Sequence, residues 1–336
     1  MALPTFDLDI ASLRAGLTAA SRGYTPDDVR EIVLTILLGK NYRRITEKAT
    51  RLEISVFMSW LLDLCHRAVI QFGEDWLERL QEVCARRGTG PEAKWLRVWL
   101  MGLALKTTHN LGIAVRDYPT YLQQIKLESD AVLNLQPHQT SLELRTEGTS
   151  PITLSGGDSA WLLQIAGAAV LTLRGSKKSS VGKLLEKAIA RACLTALGLK
   201  ENEHFNLNLA ADEEVEREID AEVNTRRGRV RMDVALIGTG NQEVSEDKLS
   251  RVGRNGIVIV DKLGPKSKVP GNASKNGVEL IIIQNNLLLS ALYNHLSPLM
   301  PASATLKEPP TNELELREML KNLPDSAFMV PTEATI

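Results

Sequence analysis

The sequence is poor in cysteine and in aromatic residues, and it carries almost no net charge. Its 336 residues include three cysteines and 4% aromatic residues, and the formal net charge is -1. Cys65, Cys84 and Cys193 are far apart, and each lies in an apolar, helix-like stretch, which predicts buried thiols. This pattern argues against a disulfide framework and against a zinc site. The near-zero net charge argues against a generic polyanion binder.

Long hydrophobic runs and a secretory signal are also missing. The first ten residues carry two acids and lack a basic region followed by an apolar segment. The longest apolar stretches, 161–173 and 56–72, are too short or are interrupted by charged residues, whereas a membrane span needs about 20 apolar residues. We therefore expect a cytoplasmic protein that does not enter a membrane.

The hydrophobic pattern divides the chain into three parts. Apolar residues recur at helical spacing through residues 1–125, which predicts a helical N-terminal region. Strand and helix patterns alternate over residues 126–300, which predicts an α/β or α+β core. Residues 301–336 are polar and contain several prolines, so we expect a C-terminal tail that packs loosely or wraps a partner. Four tryptophans of the first part are predicted to lie in the core: Trp60, Trp76, Trp95 and Trp99.

Individual elements of the second part can be assigned from periodicity. We predict helices at 181–197, 212–223 and 285–295, and strands at 132–135, 141–144, 205–209, 228–238, 257–260 and 278–283. Basic residues concentrate at 173–200 and at 248–268, and an acidic run lies between them. Such segregation suits a protein that presents a positive face to phosphates, although solvated helix faces would produce the same pattern.

An acidic residue, Asp233, lies within an apolar strand pattern. A buried acid is costly unless it binds a cation or a hydrogen-bond donor. Residues 238–241 favour a tight turn, and a four-residue hairpin loop at this point would place Asp233 opposite Glu246. Lys248 would project from the same strand face as Glu246, because side chains two residues apart share a face. The pattern predicts a cluster of two carboxylates and one ammonium group.

The residue types of this predicted cluster suit metal-assisted phosphodiester chemistry. Two carboxylates match the oxygen preference of Mg²⁺, which can polarise a phosphodiester and generate or position a hydroxide. The neighbouring ammonium of Lys248 can orient the attacking water and offset the charge that develops in the transition state. Arg251 and Arg254 follow the cluster directly and are one helical turn apart, so we predict that they contact DNA.

The pattern Asp233…Glu246-x-Lys248 resembles the active site of the PD-(D/E)xK nucleases. Residues 175–193 are similar to the first core helix of restriction-type nucleases, in which a glutamate at the position of Glu186 approaches the metal site. A surface residue that interacts with the helix dipole is the alternative interpretation of Glu186. Taken together, residues 175–264 resemble a type II restriction endonuclease of the family typified by CfrBI.

The resemblance implies a mixed-sheet, restriction-endonuclease-like core of the α/β (α+β) class, following the helical region. It also implies a homodimer, Mg²⁺, double-stranded DNA as substrate, a palindromic site and a cognate DNA methyltransferase. In this scheme Asp233 and Glu246 bind the metal, Glu186 supports the metal shell and Lys248 assists the water. The predicted DNA contacts are Lys183, Arg251 and Arg254.

Two sets of alternatives stay open. The segment 242–248 is polar, whereas the corresponding strand of the superfamily is apolar, so Asp261 and Lys262 compete for the second carboxylate and the lysine. A repair or junction-resolving nuclease of the same fold is one alternative function. A non-catalytic DNA-binding regulatory protein, in which the acidic cluster only closes a salt-bridge network, is another. Metal-dependent cleavage into discrete fragments would distinguish the restriction enzyme from both.

Overall fold

The computed structural model describes residues 6–20, 24–86, 91–133, 141–145, 150–207, 219–236, 242–285 and 287–329. In chain order, the helices of these residues are α1 (Ile10–Ala20), α2 (Pro26–Leu37), α3 (Arg43–Phe72), α4 (Trp76–Arg86), α5 (Pro91–Trp99), α6 (Leu105–Asn110), α7 (Tyr118–Leu133), α8 (Gly157–Ala196), α9 (Gln242–Val252), α10 (Val269–Asn276), α11 (Leu288–Leu296) and α12 (Glu313–Lys321). The strands are β1 (Ser141–Leu144), β2 (Ile152–Ser155), β3 (Phe205–Leu207), β4 (Ala221–Thr225), β5 (Gly228–Ala235), β6 (Ile257–Val260) and β7 (Glu279–Ile282).

The chain divides into two compact units. The first unit comprises residues 1–22 and 48–178, and the second comprises residues 23–47 and 179–335. In this division, residues 126–178 lie with the N-terminal helices, and α2 lies with the later strands. The partition drawn from the sequence groups both segments differently, because hydrophobic periodicity does not reveal which elements pack together.

The first unit is helical and carries the antiparallel pair β1–β2. Trp60, Trp76 and Trp99 are buried in its core, as predicted from their apolar surroundings, and Trp95 is partly buried against the same core. The indole nitrogen of Trp99 donates to the hydroxyl oxygen of Thr172 over 3.0 Å. Within the described residues, none of the helices combines the length and the apolar composition that a transmembrane segment requires.

The cysteines are buried thiols, as the sequence predicts. None of the three is disulfide-bonded. Burial raises the pKa of Cys65 and of Cys193 to about 12. Both side chains therefore behave as small apolar groups of the interior.

The second unit contains a five-stranded mixed sheet in the order β3-β4-β5-β6-β7. The first three strands are antiparallel neighbours, and β5, β6 and β7 are parallel. Strands that are parallel neighbours need a long crossover, which α9 supplies between β5 and β6 and α10 supplies between β6 and β7. The sheet confirms the predicted α/β class with a mixed sheet.

Helices cover both faces of this sheet. Met232, Val234 and Ile257 belong to the larger core, to which α2, α8 and α11 also contribute. Ala235 and Val258 belong to a smaller core with residues of α9 and α10. Because side chains alternate between the faces of a strand, Asp233 shares the α9 face with Ala235.

Helix α2 begins at a capping motif. The side-chain oxygen of Thr25 accepts a hydrogen bond from the backbone nitrogen of Asp28 over 3.2 Å, and the carboxylate of Asp28 accepts one from the backbone nitrogen of Thr25 over 2.9 Å. This reciprocal arrangement satisfies two free donors at the helix start. Pro26 at the first helical position adds a fixed φ angle that suits the helix.

Two secondary-structure predictions were wrong over described residues. Val132 and Leu133 end α7 and do not begin a strand. Residues 221–223 belong to β4 and not to a charged helix. Alternate residues of this segment are apolar, and its backbone pairs with β3 on one side and with β5 on the other. The remainder of both predicted segments lies partly outside the described residues.

Residues 313–328 pack into the core of the second unit, in contrast to the loosely packed tail expected from composition. Leu316 and Leu320 of α12 and the side chain of Phe328 are buried in the larger core. The Arg30 guanidinium lies 4.6 Å from the centre of the Phe328 ring, and its nitrogen lies 2.7 Å from the Asp325 carboxylate. The polar composition of this segment did not predict this packing, because only a few apolar residues make the contacts with the core.

Candidate active site

Two aspartates meet where β4 begins and β5 approaches its end. Ala221 pairs with Met232 in the antiparallel register, so the next step along both strands places Asp220 opposite Asp233. Asp233 is 1% exposed and Asp220 is 6% exposed. The carboxylate of Asp220 accepts a hydrogen bond from the backbone nitrogen of Val234 over 2.8 Å. The antiparallel turn at the far end of these strands thus brings two acids into one buried site.

Lys248 of α9 reaches into the same site. Its Nζ donates to Asp233 Oδ1 over 2.9 Å and to Glu186 Oε2 over 3.2 Å, and it lies 3.8 Å from Asp220 Oδ2. It also donates to the backbone oxygen of Val234. The Lys248 side chain is 8% exposed. One ammonium group therefore faces three carboxylates with little access to water.

Glu186 connects this cluster to α8. Its Oε1 accepts a hydrogen bond from the backbone nitrogen of Leu236, just after β5, over 3.1 Å. Its other carboxylate oxygen accepts from Lys248. Because both oxygens are engaged, Glu186 holds the lysine and the end of β5 in a defined relative position.

Burial dominates the electrostatics of the cluster. It raises the pKa of Asp220 well above the ordinary value, and the charge of Asp233 raises it further. Burial also raises the pKa of Glu186, against the opposing effect of the Lys248 ammonium. For Lys248, burial lowers the pKa, but the charges of Asp220, Glu186 and Asp233 outweigh it and raise the pKa above its usual value. The lysine is therefore protonated at neutral pH, and two of the acids hold protons more tightly than usual.

A second cation lies beside Asp233. A terminal nitrogen of Arg251, one turn after Lys248 on α9, lies 3.6 Å from Asp233 Oδ2 and 3.3 Å from Asp247 Oδ2. The Arg251 side chain is 15% exposed. Lys248 and Arg251 thus approach the two oxygens of the same carboxylate from one face of the helix.

The predicted hairpin between Asp233 and Glu246 was wrong. Residues 242–252 form α9, and the antiparallel partner of β5 is β4, reached by the turn at Arg226–Arg227. Lys248 approaches Asp233 as predicted, but from a helix. The side chain of Glu246 and the loop 237–241 lie outside the described residues, so the metal role predicted for Glu246 stays a prediction. The polar run 242–248, which fits a superfamily strand poorly, belongs to this crossover helix.

The competing pair lies at the neighbouring strand. Asp261 follows β6, and its backbone nitrogen donates to the backbone oxygen of Ala235 over 3.2 Å. Its carboxylate accepts from the backbone nitrogen of Lys262 over 2.9 Å. Both residues are therefore close to the end of β5, but the contacts of Lys248 join it to Glu186, Asp220 and Asp233.

The three predicted DNA-contacting residues differ in their exposure. Lys183 on α8 and Arg254 after α9 are exposed. Arg251 is largely buried against Asp233 and Asp247. The first two side chains remain suited to a phosphate contact, whereas the third is engaged within the cluster.

Sequence reasoning missed one residue of this site, Asp220. It lies in the pattern Ile219-Asp220-Ala221-Glu222-Val223, where acids alternate with apolar residues as in a strand. The same argument that identified Asp233 would have identified it.

The donor set fits a hard divalent cation. Among the described residues, no three histidine, cysteine, aspartate or glutamate side chains form a ready-made metal cluster. However, Mg²⁺ commonly takes one or two protein carboxylates and completes its shell with water and substrate phosphates. Asp220 and Asp233 provide such a pair, and Asp233 Oδ2 is buried and accepts no hydrogen bond from the residues that the structure describes.

Comparison with known proteins identifies the family of this chain. The family model of the CfrBI restriction endonuclease matches residues 26–268, which is more than two thirds of the chain. The chain belongs to the CfrBI restriction endonuclease family. The match runs from α2 to the residues just before α10, and it includes Glu186, Asp220, Asp233 and Lys248. Membership of this family implies a site-specific nuclease of a restriction-modification system.

A full-length relative supports the family assignment. The type II restriction enzyme CfrBI of Citrobacter freundii is 23% identical over 337 aligned residues, which cover 92% of this chain and 91% of the relative. No solved structure gives a significant match to the chain. The CfrBI family relationship therefore extends over both compact units.

Proposed function

We propose that this protein is a Mg²⁺-dependent type II restriction endonuclease that hydrolyses phosphodiester bonds of double-stranded DNA at a short, palindromic site. The observation that carries the proposal is the buried contact of Lys248 Nζ with Asp233 Oδ1 at 2.9 Å, beside Asp220 and Glu186, in a member of the CfrBI family. A buried group of three acids and one lysine is costly for folding, and its arrangement matches the needs of phosphodiester hydrolysis.

The proposal assigns a role to each member of the cluster. Asp220 and Asp233 would hold the Mg²⁺, because the strand register places Asp220 opposite Asp233, and the metal role predicted for Glu246 stays a prediction. When bound, the ion would polarise the phosphodiester and lower the pKa of a water molecule. Lys248 would orient the attacking water and offset negative charge on the phosphate. Glu186 would position Lys248 through its 3.2 Å hydrogen bond.

The proposed substrate contacts come from exposed cations. Lys183 and Arg254 would contact backbone phosphates, which determine affinity more than sequence preference. A palindromic target follows from a two-fold homodimer in which each protomer cuts one strand of an equivalent half-site. A cognate DNA methyltransferase would protect the host DNA at the same sites.

Plasmid cleavage tests the proposal directly. Purified protein is incubated with plasmid DNA, with Mg²⁺ or with a chelator, and the fragments are separated on a gel. We expect discrete, metal-dependent fragments from the wild-type protein, and no cleavage by D233N or D220N, both of which should still bind DNA. E222Q is the matched control, since Glu222 is a buried acid of β4 that pairs instead with Arg229 at 3.2 Å.

The outcomes of this experiment separate the alternatives. Cleavage by D233N at the wild-type rate would refute the assigned site. Binding of DNA without cleavage would favour the non-catalytic regulatory protein, and cutting only at branched or damaged DNA would favour a repair or junction-resolving nuclease. Light scattering of the purified protein checks the homodimer. Mapped fragment ends check the palindrome, and resistance of DNA methylated at those sites checks the methyltransferase partner.

A further inference from the structure

The side chain of Arg251 is 15% exposed and lies against the carboxylates of Asp233 and Asp247. We propose that Arg251 is a positioning residue that orients the Asp233 carboxylate for metal binding, with Asp247 as its anchor. This inference rests on the proposed nuclease function and adds a residue to its machinery. It also replaces the DNA contact predicted for Arg251 from the sequence.

The two oxygens of Asp233 have different environments. Oδ1 accepts a hydrogen bond from Lys248 over 2.9 Å. Oδ2 lies 3.6 Å from a terminal nitrogen of Arg251, which is within ion-pair range but beyond the length of a good hydrogen bond. Arg251 therefore attracts this oxygen without occupying its lone pairs. Oδ2 remains available to a cation while the carboxylate plane is defined from both sides.

Asp247 holds Arg251 in this position. Its carboxylate lies 3.3 Å from the same Arg251 nitrogen, and the two residues are four apart on α9, where their side chains are neighbours. The Asp247 side chain is 41% exposed, whereas that of Arg251 is 15% exposed. The guanidinium is thus held between an acid at the surface and a buried acid. With its side chain 15% exposed, Arg251 offers a DNA phosphate little surface.

The charges of the site agree with this role. When the carboxylates are ionised, as metal binding would require, the four acids Glu186, Asp220, Asp233 and Asp247 exceed the two cations Lys248 and Arg251 by two negative charges. A divalent cation would balance that excess. If Arg251 were absent, the Asp233 carboxylate would lose one of its two flanking cations and its fixed orientation. Outer-shell partners of this kind typically contribute roughly 10-fold to 100-fold to metal affinity.

The test compares R251A and R251K with R254A, a matched exposed arginine three residues further along. Mn²⁺ binding to the DNA-free protein is measured by electron paramagnetic resonance, and DNA affinity is measured in chelator by gel shift over a range of salt concentrations. The Mg²⁺ concentration for half-maximal plasmid cleavage is measured for each variant. Far-UV circular dichroism verifies that each variant is folded, and R251K retains a positive charge if R251A proves unstable.

We expect R251A to weaken Mn²⁺ binding and to raise the Mg²⁺ requirement by roughly 10-fold to 100-fold. Its DNA affinity in chelator should stay within about twofold of wild type, and R251K should recover part of the metal affinity. R254A should instead weaken DNA binding and lower the salt dependence by about one counterion, with an unchanged Mg²⁺ requirement.

Three results would overturn the inference. If R251A weakens DNA binding as R254A does and leaves Mn²⁺ binding unchanged, then Arg251 is a DNA contact. If R251A lowers only the thermal midpoint, its role is structural. If wild-type protein cuts no DNA under any metal condition, the proposed function fails and the inference fails with it. Wild-type cleavage together with unchanged metal binding in R251A and R251K would refute the inference alone.

Discussion

Replacing Lys248 with methionine is the sharpest test of the buried cluster. Methionine retains much of the length and apolar volume of the lysine stem, but it removes the ammonium that faces Glu186, Asp220 and Asp233 at 3.2, 3.8 and 2.9 Å. Removing one partner of a buried ion pair costs about 3–5 kcal/mol, because the remaining charge is left uncompensated. We therefore expect K248M to lower the free energy of unfolding by about that amount at neutral pH.

The loss should depend on pH in a defined direction. Burial raises the folded-state pKa of Asp220 and of Glu186, and the Lys248 ammonium opposes both increases, so these pKa values rise further in K248M. An acid with a raised folded-state pKa binds more protons in the folded state, so stability falls as pH rises through the window between the two values. The loss of unfolding free energy caused by K248M should therefore decrease as pH falls toward the ordinary pKa values of Asp220 and Glu186, which are 3.8 and 4.5.

Urea unfolding provides the assay. All five tryptophans lie within residues 48–178, so their fluorescence reports on the first compact unit, whereas circular dichroism at 222 nm reports on the helices of both. K266M, at an exposed lysine, is the matched control. The double variant D233N/K248M should recover part of the loss, since it removes both partners of one pair. A loss below about 1 kcal/mol, typical of an exposed pair, or a loss that does not change with pH, would refute the reasoning.

Three further predictions concern stability and reactivity. T25A should lower the free energy of unfolding by about 1 kcal/mol through loss of the helix cap, measured by urea denaturation. F328A should cost about 3–5 kcal/mol, because the ring is 1% exposed and lies against Arg30; a loss below about 1 kcal/mol would contradict the packing seen for the C-terminal residues. Cys65 and Cys193 should not react with a thiol reagent at pH 8 until urea unfolds the protein, because burial raises the pKa of both to about 12.

Local patterns predicted those parts of the fold that depend on nearby residues. The start of α2 follows from Thr25-Pro26-Asp27-Asp28, whose capping hydrogen bonds form within four residues. The apolar run Ile257–Val260 became β6, since a short continuous apolar segment is typical of a strand with both faces covered. The segment 221–223 was misassigned because neighbouring acids suggested an exposed helix, whereas pairing with β5 makes it a strand.

The candidate site was predicted only in part. Asp233 was identified because an acid in an apolar strand needs a partner, and Lys248 does supply one at 2.9 Å. The predicted connection between them, a hairpin, was wrong, because β5 and β6 are parallel and need a helical crossover. Asp220 carries the same local signal, an acid between apolar residues, but its partnership with Asp233 arises from the β4–β5 register, which the turn at Arg226–Arg227 sets.

The sequence by itself determined the family resemblance, the buried acid at Asp233 and the mixed α/β character of the core. These features depend on residue type and short-range periodicity, which can be read along the chain. The tertiary structure decided that Glu186, Asp220 and Lys248 converge on Asp233 and that Arg251 faces inward. These contacts join residues up to 62 positions apart, and strand register and helix packing bring them together through burial that no local pattern encodes.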